Sequence, residues 1–194
     1  MKQYGFTLIE LIVTLSIAAI ITTAAVPSLQ SFIQNNRMST TVHHFVTTLN
    51  LARSEAVKRG ERVTVCKSAD LINCVTTNGW EQGWIVFVDS NGNGTRQAPG
   101  EILLRVHNAL PGNIIISGQT DVESIISYAG TGFAQRIGGA AIDANQSTLI
   151  LCDPRAYGDF ARAITISTTG SVRSMQATDP GVNAAIRTAA SCDV

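Results

Sequence analysis

Hydrophobic positions fall into two regimes along this chain. From Phe6 to Val26 the sequence is almost wholly apolar, and between Leu11 and Asn36 no side chain ionises. An apolar run of that length crosses a ~30 Å hydrocarbon core as a helix. Beyond Pro27 the pattern turns amphipathic, with Val42, Phe45, Leu49, Ala52 and Ala56 recurring at three- and four-residue steps between Thr, Asn, Arg and Glu. Gly60 supplies a stop, and Lys58 and Arg59 suit the negative end of a helix dipole. One helix from about Phe6 to Arg59 accounts for both halves. From Glu61 onward the period falls to two. RVTVC (62–66), GWIVFVD (83–89), EILLRV (101–106), NIIIS (113–117), SIISY (124–128), TLILC (148–152) and AITIS (163–167) read as short strands punctuated by Gly, Asn, Asp and Pro. The expected fold class is α+β, a long N-terminal transmembrane helix packed against a C-terminal antiparallel β-sheet head. The segments are a leader (1–5), a transmembrane half of the helix (6–27), an amphipathic half (28–60) and a β-rich head (61–194).

Composition sharpens this picture in two ways. Lys+Arg and Asp+Glu balance at 14 each, so net charge points to neither nucleic acid nor an acidic partner. Charged residues make up only 14% of the chain, and the apolar stalk accounts for much of that deficit. All four cysteines, Cys66, Cys74, Cys152 and Cys192, fall in the head. No close C-x-x-C pair suggests zinc, and an even count behind an export-type N-terminus reads as disulfides. Three pairings exist, of which Cys66–Cys74 with Cys152–Cys192 joins neighbours in sequence.

The N-terminus carries the most specific signal. A leader of five residues holds one cation, Lys2, and the charged-to-apolar junction is Gly5-Phe6, ahead of the apolar run. A secretory signal would be cut after its apolar region; a cut here leaves the helix on the mature chain. Glu10 lies inside that run, where a carboxylate costs about 2.5–3.5 kcal/mol unless it reaches the interface or pairs with a cation. GFTLIE followed by a hydrophobic helix resembles the class III signal of type IV pilins and type II secretion pseudopilins. That resemblance implies cleavage between Gly5 and Phe6 by a prepilin peptidase and N-methylation of Phe6. It also implies a pairing of Glu10 with the Phe6 amine of a neighbouring subunit during assembly. Pro27 stands where such helices kink or melt.

The head adds a narrower resemblance. LNLARSEAVKRG at the helix end, the first cysteine pair, GWIVFVDSNGNG, and then TLILC with ARAITISTTGSVR are together similar to the GspH/FimT family of minor pilins and pseudopilins. The family implies a head of two antiparallel sheets packed on the helix. Its members implicated in DNA uptake share a Gly-Arg-x-Arg turn; this chain keeps Gly170 and Arg173 but has Ser171 in place of the first Arg. Arg136, Arg155, Arg162 and Arg187 would add to a basic surface if folding gathered them, while Asp153, Asp159 and Asp179 would dilute it.

Asp89-Ser90-Asn91-Gly92-Asn93-Gly94 resembles the opening of an EF-hand loop, with Asp89, Asn91 and Asn93 as oxygen ligands. Its twelfth position is Gly100, and the carboxylate comes one residue later, at Glu101. Weak calcium binding is thus the one cofactor the sequence admits, the alternative being a Gly/Asn-rich hairpin connection. Nothing resembles a nucleophile elbow, P-loop or zinc-protease motif, so no enzymatic role is expected. His43 and His44 are adjacent, point about 100° apart and form no i, i+4 metal pair; Trp80 and Trp84 suit packing better than base stacking. The expected function is filament assembly, as a minor pilin or pseudopilin in a type IV pilus or type II secretion machine. The alternative is a pilus-borne DNA-binding subunit for natural transformation. Implied partners are other pilins, the prepilin peptidase, the inner membrane and, for the alternative, double-stranded DNA. The implied location is the inner membrane with a periplasmic head, then the filament.

Overall fold

The computed structural model describes Gly5, residues 7–155, residues 158–182 and Cys192. One helix, α1 (Leu8–Arg59), precedes nine strands. By internal contacts the chain divides into two compact units, Met1–Arg37 and Met38–Val194. The boundary coincides with Met38, the first deeply buried residue of the helix.

Helix α1 begins at a cap. Thr7 Oγ1 accepts the Glu10 backbone N–H at 3.3 Å, which satisfies one of the orphan donors of the first turn. Within the first unit the hydroxyls of Thr14, Ser16, Thr22 and Thr23 each donate to a carbonyl three or four residues back. Their polarity is spent inside the helix, so they add little cost to an apolar surrounding. The helix continues through Pro27. It stops at Gly60, which adopts φ 68° while its N–H still reaches the Ala56 carbonyl at 2.9 Å.

The head unit holds two antiparallel sheets. The first has the order β3 (Leu103–His107), β2 (Trp84–Val88), β1 (Val63–Lys67), β5 (Ile125–Tyr128) and β6 (Ala134–Gln135). The second has the order β4 (Ile115–Gly118), β7 (Thr148–Cys152), β8 (Arg162–Ile166) and β9 (Val172–Gln176). Seven strands coincide within a residue or two with the period-two runs. The sequence reading omitted two. Strand β6 has only two residues, too few for any periodicity to show. Strand β9, VRSMQ, is a polar edge strand paired with β8 alone, so it lacks the apolar alternation of a half-buried strand.

Alternation along the strands sends one set of side chains to a shared core. Val63, Val65, Val86, Ile126 and Tyr128 of the first sheet meet Ile116, Leu149, Leu151, Ile164 and Ile166 of the second. The helical stripe Met38, Val42, Phe45, Leu49, Ala52 and Ala56 completes it, all within one cluster. Phe45 sits in the middle, edge-on to Trp80 (5.3 Å between ring centroids) and Trp84 (4.9 Å). Both indoles are buried yet satisfied, Trp80 Nε1 donating to the Val122 carbonyl at 3.1 Å and Trp84 Nε1 to Thr48 Oγ1 at 3.3 Å.

The outer faces of the sheets carry smaller clusters, each closed by a disulfide. Cys66 bonds Cys74 across a Cα separation of 5.5 Å, beside Ile85 and Phe87. Cys152 bonds Cys192 across 5.6 Å, holding it against Ile150, Ala163 and Val182. The second bond closes a loop of 40 residues, worth roughly 4 kcal/mol on the chain-entropy argument.

His107 marks the rim of this core. Its ring stacks on Trp84 at 3.9 Å and meets His44 edge-on at 5.4 Å. Burial holds its pKa below the ordinary histidine value, against the opposing effect of a hydrogen bond to the Asn108 carbonyl; the nearby His44 and Arg105 lower it further. The unfolded chain therefore binds this proton more tightly. Its contribution to stability is complete above the unfolded pKa of about 6.5 and is lost as pH falls below it. Chemical denaturation between about pH 8 and pH 5 should show midpoints falling on the acid side, with a shallower fall in His107→Phe. Phe45→Ala should cost about 3–5 kcal/mol in the same assay at neutral pH, because two indole edges lose their partner at once.

Candidate functional site

The N-terminal features lie on the first unit. Gly5 is exposed, and Phe6 lies outside the described residues, so the junction itself has no described geometry. Glu10 occupies the third helical position, with its N–H held by Thr7. Thr7-Leu8-Ile9-Glu10 has the spacing of a capping box, a signal present in the sequence that the pilin resemblance had overshadowed. An acid in the first turn also complements the helix dipole, so Glu10 has a local role whatever its intermolecular one. Around it the apolar surface has no cover: Leu8, Ile9, Leu11, Leu15, Ile20 and Phe32 are all more than half exposed. An 18-residue stretch of the helix has a mean hydropathy of 2.2, with none of it buried.

On the head, Gly170 and Arg173 have different roles. Gly170 turns the chain from β8 to β9 at φ 80°, and a Cβ there would run into the Gly132 carbonyl oxygen. Arg53 of the helix locks this contact, donating Nε to Gly132 O at 3.1 Å and Nη2 to Thr169 O at 2.8 Å. The glycine is thus demanded by packing. Arg53 was missed as a structural staple because its acceptors are backbone carbonyls 79 and 116 residues away, which leave no trace in sequence. Tyr128 lies under the same turn with its hydroxyl buried, and desolvation pushes its pKa above the ordinary range.

Arg173 pairs with Thr165 on the outer face of the second sheet and is exposed. It lines a groove of about 800 Å³ together with Thr148, Thr165, Ser167, Thr169 and Ser171. The other arginines do not converge there. Arg136 pairs with Asp121 at 2.7 Å, Arg155 pairs with Asp153 and covers the Phe160 ring, and Arg162 donates to the Asp159 and Ala161 carbonyls. Arg187 lies outside the described residues. Two of the arginines are thus matched to carboxylates.

The β2–β3 connection is more ordered than a plain hairpin. Asp89 is buried, and its Oδ1 accepts the Asn93 N–H at 3.1 Å while Oδ2 accepts the Gly94 N–H at 3.0 Å. Asn91 Oδ1 also accepts the Asn93 N–H, and Asn93 Oδ1 accepts the Thr95 N–H at 2.8 Å. Behind Asp89 runs a relay from Arg62 to Ser127 (3.0 Å), Ser127 to Thr64 (3.0 Å) and Thr64 to Asp89 (2.9 Å). The buried carboxylate thereby reaches a cation through two hydroxyls. No cluster of three or more His, Cys, Asp or Glu occurs among the described residues.

Residues 1–26 match the model of the prokaryotic N-terminal methylation motif. No curated protein matches the chain. Among solved structures, the Pseudomonas aeruginosa type IV minor pilin FimU is similar over 77% of this chain and 93% of its own, at 18% identity and a TM-score of 0.51. The minor pseudopilin EpsH from the type 2 secretion system of Vibrio cholerae is similar over 74% of this chain and 99% of its own, at 12% identity and a TM-score of 0.45. At such identities the likeness to FimU speaks for the fold. The family rests on sequence: residues 41–170, more than half of the chain, match the model of the type II transport protein GspH, and the protein belongs to that family of minor pilins and pseudopilins.

Proposed function

We propose that this chain is a processed, membrane-anchored subunit that acts in the assembly of a type IV pilus or a type II secretion pseudopilus. One observation carries the reading: an apolar helical surface from Leu8 to Ile33 that is exposed among the described residues and interrupted by the single acid Glu10. Water is a poor solvent for such a surface, at about 25 cal/mol for each Å² left exposed. Lipid solves that problem before assembly, and the helices of other subunits solve it afterwards. Disulfides in the head suit the oxidising, periplasmic side of the membrane.

Glu10 then has a specific task. A carboxylate among packed apolar helices is costly unless a cation meets it. Cleavage after Gly5 would create that cation as the α-amino group of Phe6, and N-methylation leaves its charge in place. A neighbouring subunit offered at the right height would bring the Phe6 amine to Glu10, so wrong registers would bury an unpaired charge. The pair would select register more than it adds stability.

Two substitutions separate this role from the capping one. Glu10→Gln retains a side chain suited to a capping box but loses the charge, whereas Glu10→Ala loses both. Both variants should insert into membranes, and both should be depleted from sheared filaments at least tenfold relative to wild type. Filament incorporation of Glu10→Gln at the wild-type level would overturn the ion-pair role. Intact-mass analysis should show a mature chain beginning at methylated Phe6, and any other start would overturn the processing step.

A second reading, DNA capture by the head, has the exposed Arg173 in its hydroxyl-lined groove in its favour. One guanidinium on an edge strand contacts phosphate and reads no base. Titration of the full chain in detergent with duplex DNA should then show sequence-independent binding that weakens with salt. Arg173→Ala should abolish it and Ser171→Arg should strengthen it. Absence of binding at low salt would leave assembly as the sole role.

A further inference from the structure

We propose that the β2–β3 connection is a calcium site built from the carboxylates of Asp89 and Glu101 and the side-chain oxygens of Asn91 and Asn93. The decisive group is Glu101. Its residue is 4% exposed, its Oε2 accepts the Gln97 N–H at 2.9 Å, and its Oε1 is buried without a hydrogen-bond partner. A carboxylate oxygen removed from water and left unpaired is costly, so buried polar groups of this kind call for a partner the polypeptide does not supply. The Gln97 amide that holds Oε2 belongs to the same loop as Asp89. Gln97 Oε1 in turn accepts from Asn91 Nδ2 at 3.0 Å, which ties the Glu101 end of the loop to its Asx end.

The opening of the loop is prepared for the same ligand. Asp89, Asn91 and Asn93 stand at the first, third and fifth positions, and Gly94 at the sixth turns the chain at φ 75°. Asp89 Oδ1, Asn91 Oδ1 and Asn93 Oδ1 each accept a backbone N–H and keep acceptor capacity on a second lone pair, while Asp89 Oδ2 is taken up by the Gly94 N–H and the Thr64 hydroxyl. The one departure from the EF-hand pattern is the closing acid, which falls at the thirteenth position. In an EF-hand an exiting helix returns the twelfth residue to the metal. Here the chain leaves as strand β3, Gly100 occupies the twelfth place, and the carboxylate that folds back onto the loop is the next one, Glu101.

Two cations border the loop: Arg62, whose Nε would lie 3.6 Å from a Cβ at Gly92, and Arg96 within it. Arg96 donates Nη1 to the Ile72 carbonyl at 3.0 Å, its buried Nε has no partner, and it forms no ion pair with either carboxylate among the described residues. Arg62 reaches Asp89 only through Ser127 and Thr64. Asn91 and Asn93 are exposed, so a cation enters from solvent. An all-oxygen set of two carboxylates and two amides, with the Thr95 carbonyl at the seventh position, suits calcium. Magnesium demands a tighter octahedron and gives up its water reluctantly. With only two charged ligands the affinity belongs to the range of about 10⁻⁴–10⁻³ M typical of extracellular modules.

The test uses the full chain in detergent micelles, with calcium chloride as probe and magnesium chloride as comparison. Isothermal titration should give one calcium site in that range. Hydrogen–deuterium exchange should show calcium-dependent protection confined to peptides spanning residues 89–101. Glu101→Gln should weaken calcium at least tenfold, and magnesium should bind wild type at least tenfold more weakly than calcium does. If Glu101→Gln fails to fold, Asn91→Ala, altered at an exposed side chain, should still weaken calcium severalfold. The proposal is overturned by oxidised, folded wild type that shows no calcium heat or protection at about 10 mM, well above the expected range. It is equally overturned by protection that maps outside the loop, or by a folded variant that binds like wild type.

Discussion

The head depends on one stripe of a helix. Neither sheet could bury its inner face alone, because strands of two to five residues offer one to three inward side chains each. Val42, Phe45, Leu49, Ala52 and Ala56 supply the missing surface, and every member is buried. Size along the stripe is graded. Phe45 fills the space between two indoles, while Ala52 and Ala56 leave room for the chain to pass close to the helix end. There a Cβ on Gly130 would collide with the backbone of Gly60. Large residues at 52 or 56 would push the sheet away just where the helix stops.

Polar residues then secure what the apolar core positions. Arg53 ties the β8–β9 turn and the turn before β6 to the helix through two carbonyls. Arg62 ties β1 to β5, β6 and, by way of two hydroxyls, the buried carboxylate of Asp89. Each is a long-range contact made by a guanidinium to groups that nothing in the local sequence distinguishes. Arginine suits this task because its planar fork serves two acceptors at once. Arg136 and Arg155 instead pair with carboxylates, which offsets their charge in any basic field.

The helix therefore has two halves with different unmet needs. From Met38 to Arg59 its apolar stripe is satisfied by strands of the same chain. From Leu8 to Phe32 its large apolar side chains are exposed among the described residues, and the hydroxyls of Thr14, Ser16, Thr22 and Thr23 are closed on its own backbone. Water is a poor solvent for such a surface. Glu10, its N–H held by Thr7 in the first turn, is the one ionisable side chain between Leu8 and Ile33.

The sequence alone determined the features that repeat at short range. Uncharged length, three-and-four spacing, period-two runs and the Gly60 stop place the helix and seven strands, because local backbone geometry dictates how side chains alternate. GFTLIE, within the N-terminal methylation motif matched by residues 1–26, is likewise legible in six consecutive residues. Tertiary structure decided whatever depends on which distant segments meet. It set the strand order of two sheets, added the polar edge strand β9, made Gly170 a packing glycine and turned Arg136 and Arg155 toward carboxylates. It also folded the Glu101 carboxylate back onto the Gln97 N–H within the β2–β3 connection. Spacing rules describe a chain that exits as a helix; the period-two run EILLRV already marks a strand exit, and what the fold adds is the contact of the Glu101 carboxylate with the Gln97 N–H.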